Sequence, residues 1–326
     1  MGIFRKPTER KVGLKVLVTG NTGSGKSVFG LSFPNTYALD SEAGLARYEG
    51  NEIGKNLLGI ANTQSFKELE NGIKEINKMV KSKDHGIGTL LIDSESKFYQ
   101  NLQETCMTIE ENKARKNGRD IMDANLSMRS WGKIRQISTK LQNMKIDLST
   151  KGINVVSIAQ VEDVKEKQGD NFVKVGEKPV ANKNIEYDYD IIVNLFTEES
   201  NGLIVYKGEI KKDRTGKTKV GDILENPSYD VWEDINKTGK IVESDFQSDV
   251  EKDIIATEKE EEETLPKIEN IDVLVDKIKF YSSEKEKKKE IVAYLKSKGS
   301  EKGLSKACKI TDLSAEELNE LIEKLK

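Results

Sequence analysis

The sequence predicts an α/β fold with a mostly parallel central sheet, followed by an acidic linker and a small C-terminal helical bundle. Three observations lead to this prediction. Short apolar runs rich in β-branched residues alternate with segments of helical periodicity, as in proteins whose parallel strands are joined by helices. A glycine-rich turn directly follows the first apolar run. Acidic residues accumulate before the last amphipathic segments, which indicates a boundary between two folding units.

The apolar runs are interpreted as strands in chain order. The first covers residues 15–19 and leads through the glycine-rich turn into a helix over 27–32, which Pro34 ends. The next strands cover 36–39 and 89–92, and an aspartate follows each of them. Because strands that alternate with helices are joined by right-handed crossovers, a mostly parallel sheet is expected.

The alternation continues in the second part of this core. Apolar residues at helical spacing predict a helix over 130–148, which Gly152 ends. Strands are expected over 153–159 and 191–196, and the alternation within 203–210 is typical of an antiparallel edge hairpin.

Charge divides the 326 residues into three segments. The formal net charge is −3, but residues 241–264 contain ten acidic residues and two lysines, a local charge of −8. We expect a first domain over 1–240, a flexible acidic linker over 241–265 and a helical domain over 266–326. Its last helix begins with a capping box and has one apolar stripe. The box residues are Ser314 and Glu317, and the stripe consists of Leu318, Leu321, Ile322 and Leu325.

The cysteines and the lengths of the apolar runs indicate the cellular environment of the protein. Two cysteines far apart lack the spacing of a zinc site or a redox motif, which favours a reducing, intracellular environment. No apolar run is long enough for a signal peptide or a membrane span, so we expect a soluble cytoplasmic protein without a membrane partner. The net charge neither demands nor excludes nucleic acid.

The glycine-rich turn carries the strongest chemical signal. It reads Gly20-Asn21-Thr22-Gly23-Ser24-Gly25-Lys26-Ser27, and it matches G-x-x-x-x-G-K-[ST] between a predicted strand and a predicted helix. In this motif, the P-loop, backbone N–H groups converge on phosphate oxygens. Lys26 is expected to reach the β and γ phosphates, and Ser27 to bind Mg²⁺. The motif predicts a site for ATP and Mg²⁺; the alternative is a chance glycine-rich turn.

Asp93 is a candidate for the second part of this site. It follows the buried strand 89–92, and an aspartate at the carboxyl end of a strand near a P-loop is placed to bind Mg²⁺, here through water. The alternative is a helix cap.

Two other strand ends carry further motifs. Residues 37–45 read Tyr-Ala-Leu-Asp-Ser-Glu-Ala-Gly-Leu and resemble the segment that carries the catalytic glutamate in the RecA family. This resemblance gives Glu42 the role of general base for the attacking water; the alternative is a cap of the next helix. Residues 154–160 read Asn-Val-Val-Ser-Ile-Ala-Gln and resemble the RecA strand whose last glutamine senses the γ phosphate. Gln160 would then couple nucleotide state to a mobile loop.

Two basic segments extend the resemblance. Residues 161–183 are long, unpatterned and contain five lysines, at the position of the mobile DNA-binding loop of the RecA family. Residues 110–129 hold the position of the other DNA-facing loop. Their basic residues are interleaved with acidic ones, so a solvated helical face is the alternative. The basic residues are Lys113, Arg115, Lys116, Arg119 and Arg129.

Three more residues are assigned from this resemblance. Lys212 and Arg214 resemble the pair that reaches across a subunit interface to the neighbouring ATP, where positive charge stabilises the transition state. A solvated turn is the alternative. Tyr48 lies one residue from the position at which RecA stacks an aromatic ring on adenine.

Over residues 15–221 the chain is similar to the short RecA-like ATPases of bacteriophages, called Sak-type recombinases or phage nucleotide-binding proteins of the AAA type. The resemblance implies an ATPase that acts on single-stranded DNA in recombination or single-strand annealing. It also implies a homo-oligomer in the cytoplasm of a bacterial host, with a single-stranded-DNA-binding protein or another recombination or replication protein as partner. The alternative is a replication accessory ATPase, namely a helicase loader or a helicase-like motor.

Overall fold

A computed structural model describes residue 7 and residues 9–81, 86–169, 171–200, 202–236 and 271–325. The chain divides into two compact units, Met1–Ser248 and Asp249–Lys326. The predicted linker over 241–265 lies outside the described residues. The division into three segments with those boundaries therefore stays a prediction.

Strands dominate the first unit. They are β1 (Lys15–Gly20), β2 (Thr36–Asp40), β3 (Leu57–Asn62), β4 (Thr89–Asp93), β5 (Asn154–Ala159), β6 (Val161–Gln168), β7 (Asn171–Pro179), β8 (Ile191–Ser200), β9 (Leu203–Asp213) and β10 (Ile223–Glu225). One sheet has the order β10-β9-β8-β1-β5-β4-β2-β3, and β6 pairs with β7 alone. From β8 to β3 all neighbours are parallel, whereas β9 and β10 are antiparallel. The prediction of a mostly parallel sheet is confirmed.

Helices cover both faces of this sheet. They are α1 (Lys26–Leu31), α2 (Phe66–Met79), α3 (Glu95–Lys116) and α4 (Met128–Thr150). Successive side chains of a strand point to opposite faces, so Leu91 of β4 packs in a cluster with Phe29 of α1 and Trp232. Its neighbour Leu90 packs in a second cluster with Ile73 of α2 and Leu141 of α4. Burial on both faces explains why the central strands read as continuous apolar runs.

Two segments differ from the sequence-based expectation. The edge strand β3 was not predicted, because its residues are half-buried or exposed and form no continuous apolar run. The expectation of an unpatterned loop over 161–183 was wrong, since β6 and β7 form an antiparallel hairpin from Val161 opposite Pro179 to Gln168 opposite Asn171. Most hairpin side chains are exposed on both faces, so the pairing left no alternating apolar pattern in the sequence.

The second unit contains α5 (Ile271–Tyr281), α6 (Lys285–Glu301) and α7 (Ala315–Leu325). These helices share an apolar core that includes Leu274, Ile291 and Leu321. The backbone N–H of Ser314 donates to Glu317 Oε2 at 2.9 Å, and the N–H of Glu317 donates to Ser314 Oγ at 3.2 Å. The predicted capping box and the helical nature of this unit are confirmed. Within the described ranges, no helix combines the length and the apolar character that crossing a bilayer requires.

Candidate nucleotide-binding site

The P-loop joins β1 to α1 at the carboxyl edge of the sheet. Gly20, Gly23 and Gly25 have φ angles of 145°, 77° and 88°, which residues with a side chain rarely adopt. A Cβ atom at Gly20 would also lie 2.2 Å from the carbonyl oxygen of Leu195 in β8. Backbone conformation and the close approach of β8 together explain the glycines of this motif.

The loop presents several hydrogen-bond donors. Lys26 Nζ donates to the carbonyl oxygen of Asn21 at 2.6 Å. Burial lowers the pKa of Lys26 from its ordinary value, and the negative charges of Asp93 and Glu42 act in the opposite direction. The buried hydroxyl of Ser24 has no hydrogen-bond partner among the described residues. A partly desolvated cation, an orphaned hydroxyl and the free N–H groups of a first helical turn fit a triphosphate.

Ser27 and Asp93 form the candidate metal site. Ser27 Oγ donates to Asp93 Oδ2 at 2.6 Å. Asp93 is 8% exposed, and burial, together with the charges of Asp40 and Glu42, raises the pKa of its carboxyl to about 6, although the Ser27 hydrogen bond and Lys26 lower it.

The donor set of this site fits Mg²⁺. No group of three or more histidine, cysteine, aspartate or glutamate side chains in the described part of the chain could hold a metal by itself. Mg²⁺ is commonly held by one or two protein oxygens together with phosphate oxygens and water. Ser27 and Asp93 would therefore hold it beside the bound triphosphate, where its charge would polarise the phosphoryl oxygens.

A tight turn after β2 brings Glu42 to the same edge. The buried carboxylate of Asp40 forms this turn, because it accepts the backbone N–H groups of Glu42 at 3.0 Å and Leu45 at 2.8 Å. Glu42 Oε1 accepts a hydrogen bond from the hydroxyl of Ser94 at 2.8 Å. Glu42 is also exposed. A carboxylate that is held in place and open to water can act as a general base.

Gln160 connects this edge to two other elements. It directly follows β5, and its Nε2 donates to Glu42 Oε1 at 3.4 Å. Its backbone N–H donates to Ser96 Oγ in α3 at 2.8 Å. Its carbonyl oxygen accepts the N–H of Val180, just after β7, at 2.8 Å. Gln160 is therefore bonded to the candidate base, to α3 and to the end of the β6–β7 hairpin.

The structure thus brings Lys26, Ser27, Asp93, Glu42 and Gln160 together at the carboxyl edge of the sheet. Their assigned roles in binding and hydrolysis stay predictions.

Lys212 and Arg214 lie at the opposite edge. Asp213 between them pairs with Ile191, the first residue of β8, so the pair is about one strand length, roughly 17 Å, from the P-loop. Both side chains donate to the carbonyl oxygen of Tyr187, at 3.2 Å and 3.4 Å. They do not reach the phosphate site of their own molecule, and their role in a neighbouring molecule stays a prediction.

Tyr48 ends a short 3-10 helix, Leu45–Tyr48. Its half-buried ring packs against the apolar cluster on the α1 face of the sheet. The predicted contact with adenine stays a prediction.

A buried ion pair lies beneath the site, and no sequence motif predicted it. Lys145 of α4 is 2% exposed and forms an ion pair with Glu95, and its Nζ lies 3.4 Å from Ser157 Oγ in β5. Burial lowers the pKa of Lys145, but the charges and hydrogen bonds of Glu95 and Tyr189 together outweigh it, and the pKa is raised. The pair joins the start of α3, just after Asp93, to β5, the strand that Gln160 follows. The position of this lysine within the predicted apolar stripe of 130–148 was the one sign in the sequence that it could be buried and paired.

Sheet order, P-loop and carboxylates together define a P-loop ATPase with a RecA-like core. The P-loop follows a central strand, and on one side of that strand Glu42 follows β2 and Asp93 ends β4. A protein family described as AAA domain matches residues 12–240. The chain belongs to this family.

The chain also resembles solved structures. The solved structures that are similar include a KaiC-like protein from the hyperthermophilic archaeon Pyrococcus horikoshii OT3, with 17% sequence identity and a TM-score of 0.38. The match covers 66% of this chain and 90% of that protein. None of the curated proteins matches the chain.

Proposed function

We propose that this ATPase hydrolyses ATP with Mg²⁺ and acts on single-stranded DNA in recombination or single-strand annealing, as a RecA-like protein of a bacteriophage. The contact between Glu42 and Gln160 carries the proposal. It connects the candidate base to a residue whose backbone is bonded on one side to α3 and on the other to the β6–β7 hairpin.

This connection gives ATP a way to act on the hairpin. A γ phosphate beside Glu42 competes for the Gln160 amide, which has two donors and one acceptor. When the amide turns from the carboxylate to the phosphate, the backbone of Gln160 shifts as well. Its carbonyl oxygen is bonded to the N–H of Val180, so the shift reaches the end of the hairpin. The hairpin would then have two positions that depend on the nucleotide, which is the kind of two-state element that ligand switching requires.

Exposed basic residues at the far end of α3 and α4 also support a polynucleotide partner. α3 and α4 are antiparallel, since Glu95 pairs with Lys145 near the sheet and Glu110 bonds to Ser130 at the far end. That far end lies fifteen residues, about 22 Å, along α3 from Glu95. It carries exposed basic side chains that could neutralise phosphates: Arg115, Lys116, Arg119 and Arg129.

The hairpin itself contributes little net charge. Lys174 pairs with Asp163 at 2.7 Å, and Lys178 pairs with Glu162 at 3.1 Å. Phe172, however, is 70% exposed on β7, and an exposed aromatic ring can stack on a base without sequence preference. The helical end would supply most of the phosphate contacts, and the hairpin would supply stacking.

The proposal includes a homo-oligomer. Lys212 and Arg214 lie too far from their own P-loop to act there, so a catalytic role for their charge requires the ATP of a second copy. A single-stranded-DNA-binding protein, or another recombination protein, is the proposed partner on DNA.

The test is ATP turnover at low salt with and without a single-stranded oligonucleotide. The proposal requires DNA to stimulate turnover, and the stimulation should weaken steeply as salt rises. Phe172→Ala combined with Arg119→Ala should lower the stimulation ratio, whereas Val220→Ala, at an equally exposed apolar position on another part of the unit, should leave it unchanged. A wild-type protein that is not stimulated by DNA and does not retain DNA would contradict the proposal.

A replication accessory ATPase, such as a helicase loader or helicase-like motor, is the second candidate. The separate helical unit favours it, because one face of α6 presents Lys285, Lys288, Lys289 and Lys296 beside the apolar Val292, a surface suited to an acidic partner. Crosslinking of the full chain distinguishes the two candidates. Recovery of a helicase, lost in the variant Lys288→Glu/Lys289→Glu, would favour the second.

A further inference from the structure

The hairpin of β8 and β9 extends beyond the P-loop. Gly20 is level with Leu195 of β8, and Leu195 is opposite Gly208 of β9. Five more residue pairs follow, ending with Ser200 opposite Leu203. This extension, residues 196–200 and 203–207, therefore stands beside the P-loop at the carboxyl edge of the sheet.

Tyr206 in this extension touches the P-loop. A Cβ atom built on Gly25 would lie 3.2 Å from Cδ1 and 3.7 Å from Cε1 of the Tyr206 ring. The strand holds the ring there, because the carbonyl oxygen of Tyr206 accepts the N–H of Asn226 at 2.7 Å and Thr197 pairs with it on β8. Tyr206 nevertheless stays 44% exposed. The ring has one edge against the phosphate loop and a large open surface.

Tyr206 lies on the side of the P-loop where the nucleoside of a bound nucleotide would extend. Asp93 ends β4, and Glu42 and Gln160 follow β2 and β5. In the sheet order, these three strands lie on one side of β1. Tyr206 belongs to β9, on the other side of β1. A triphosphate with its γ phosphate beside the candidate base has its nucleoside directed away from those carboxylates.

A second apolar group borders this position. Val28 is in the first turn of α1, three residues after the N-cap Gly25 and so on the same side as Gly25, and it is 42% exposed. An exposed aromatic ring and an exposed aliphatic side chain next to a phosphate loop are chemically suited to the two sides of a flat heterocycle.

We propose that Tyr206 is the platform on which the base of the bound nucleotide stacks, with Val28 as the neighbouring apolar contact. The inference rests on the proposed ATP site and names a contact that the P-loop motif does not contain. Tyr48, which follows β2 on the carboxylate side of β1, is the competing position for the base.

The test compares two ligands that share the phosphates but not the base. Binding of Mg²⁺-ATP and of Mg²⁺-tripolyphosphate is measured by calorimetry for the wild type, Tyr206→Ala and Tyr206→Phe. Because Tyr206→Ala removes base stacking, this variant should bind ATP about tenfold more weakly than the wild type. Its binding of tripolyphosphate should be unchanged. Tyr206→Phe keeps the ring and should bind ATP as the wild type does.

The controls separate the possible failures. Tyr187→Ala removes an exposed tyrosine at the opposite edge of the sheet and should bind both ligands normally. The platform is refuted if Tyr206→Ala binds ATP like the wild type, if it loses both ligands equally, or if Tyr48→Ala alone shows the selective loss. A wild-type protein that binds neither ligand would refute the nucleotide site itself, which is a different result.

Discussion

Replacing Asp93 with asparagine should stabilise the nucleotide-free protein. The carboxyl of Asp93 is buried, which raises its pKa from the ordinary 3.8 to about 6. The folded protein therefore holds a charge at pH 7 that burial disfavours. Asparagine has nearly the same shape, and its amide oxygen can still accept the hydrogen bond from Ser27. The substitution removes the unfavourable charge and keeps the contact.

The size of the gain follows from the pKa values. One pKa unit corresponds to about 1.4 kcal/mol, so the charged carboxylate costs up to about 3 kcal/mol at pH 7. Between the two pKa values the folded protein binds more protons than the unfolded chain, so its stability falls as pH rises. The gain of Asp93→Asn should accordingly shrink from about 3 kcal/mol at pH 7 to about 1 kcal/mol at pH 4.5.

Urea denaturation without nucleotide measures this gain. Fluorescence reports on the first unit alone, because both tryptophans of the chain, Trp131 and Trp232, belong to it. Asp213→Asn is the control, because it should change the free energy of unfolding in the opposite direction. Burial raises the pKa of Asp213, but hydrogen bonds that include one from Trp232 outweigh it and lower the pKa, so its stabilising effect is present at pH 7 and lost as pH falls. An Asp93→Asn protein that gains no stability at pH 7, or the same amount at both pH values, would refute the reasoning.

Three further outcomes are expected. Lys145→Met should lower the free energy of unfolding by about 3–5 kcal/mol, because it leaves the Glu95 carboxylate unpaired in a buried site; adding Glu95→Gln should recover much of the loss in urea denaturation, and no recovery would argue against the ion pair as the cause. If Arg214 acts on a neighbouring ATP, mixing inactive Arg214→Ala with inactive Lys26→Ala should restore some turnover. No restored turnover at any protein concentration over which the protein assembles would support a monomeric site. Gln160→Ala should bind ATP normally but lose the difference in DNA affinity between the ATP and ADP states, measured by fluorescence anisotropy; an undiminished difference would remove the coupling role.

The central strands and the P-loop were predictable because their constraints are local. Burial on both faces gives β1, β4 and β5 consecutive apolar residues at their centres, and the phosphate loop needs glycine where φ is positive. Glu42 and Gln160 follow such strands, so their meeting at one edge follows once the strands are parallel neighbours.

The parts that escaped prediction depend on contacts between distant residues. The β6–β7 hairpin has no buried face, so its pairing left no apolar alternation. Lys145 finds its partner Glu95 fifty residues earlier in the chain. Tyr206 reaches Gly25 only because β9 is aligned with the P-loop through β8, and that register is set by the fold as a whole.

The most direct test of the account is Glu42→Gln. The amide keeps the shape of the side chain and its contacts with Ser94 and Gln160 but cannot take a proton from water. The variant should bind Mg²⁺-ATP with an affinity close to that of the wild type, while turnover falls by about 100-fold or more, the contribution expected of a general base. Turnover at the wild-type rate would contradict the claim that Glu42 and the P-loop form one hydrolytic site.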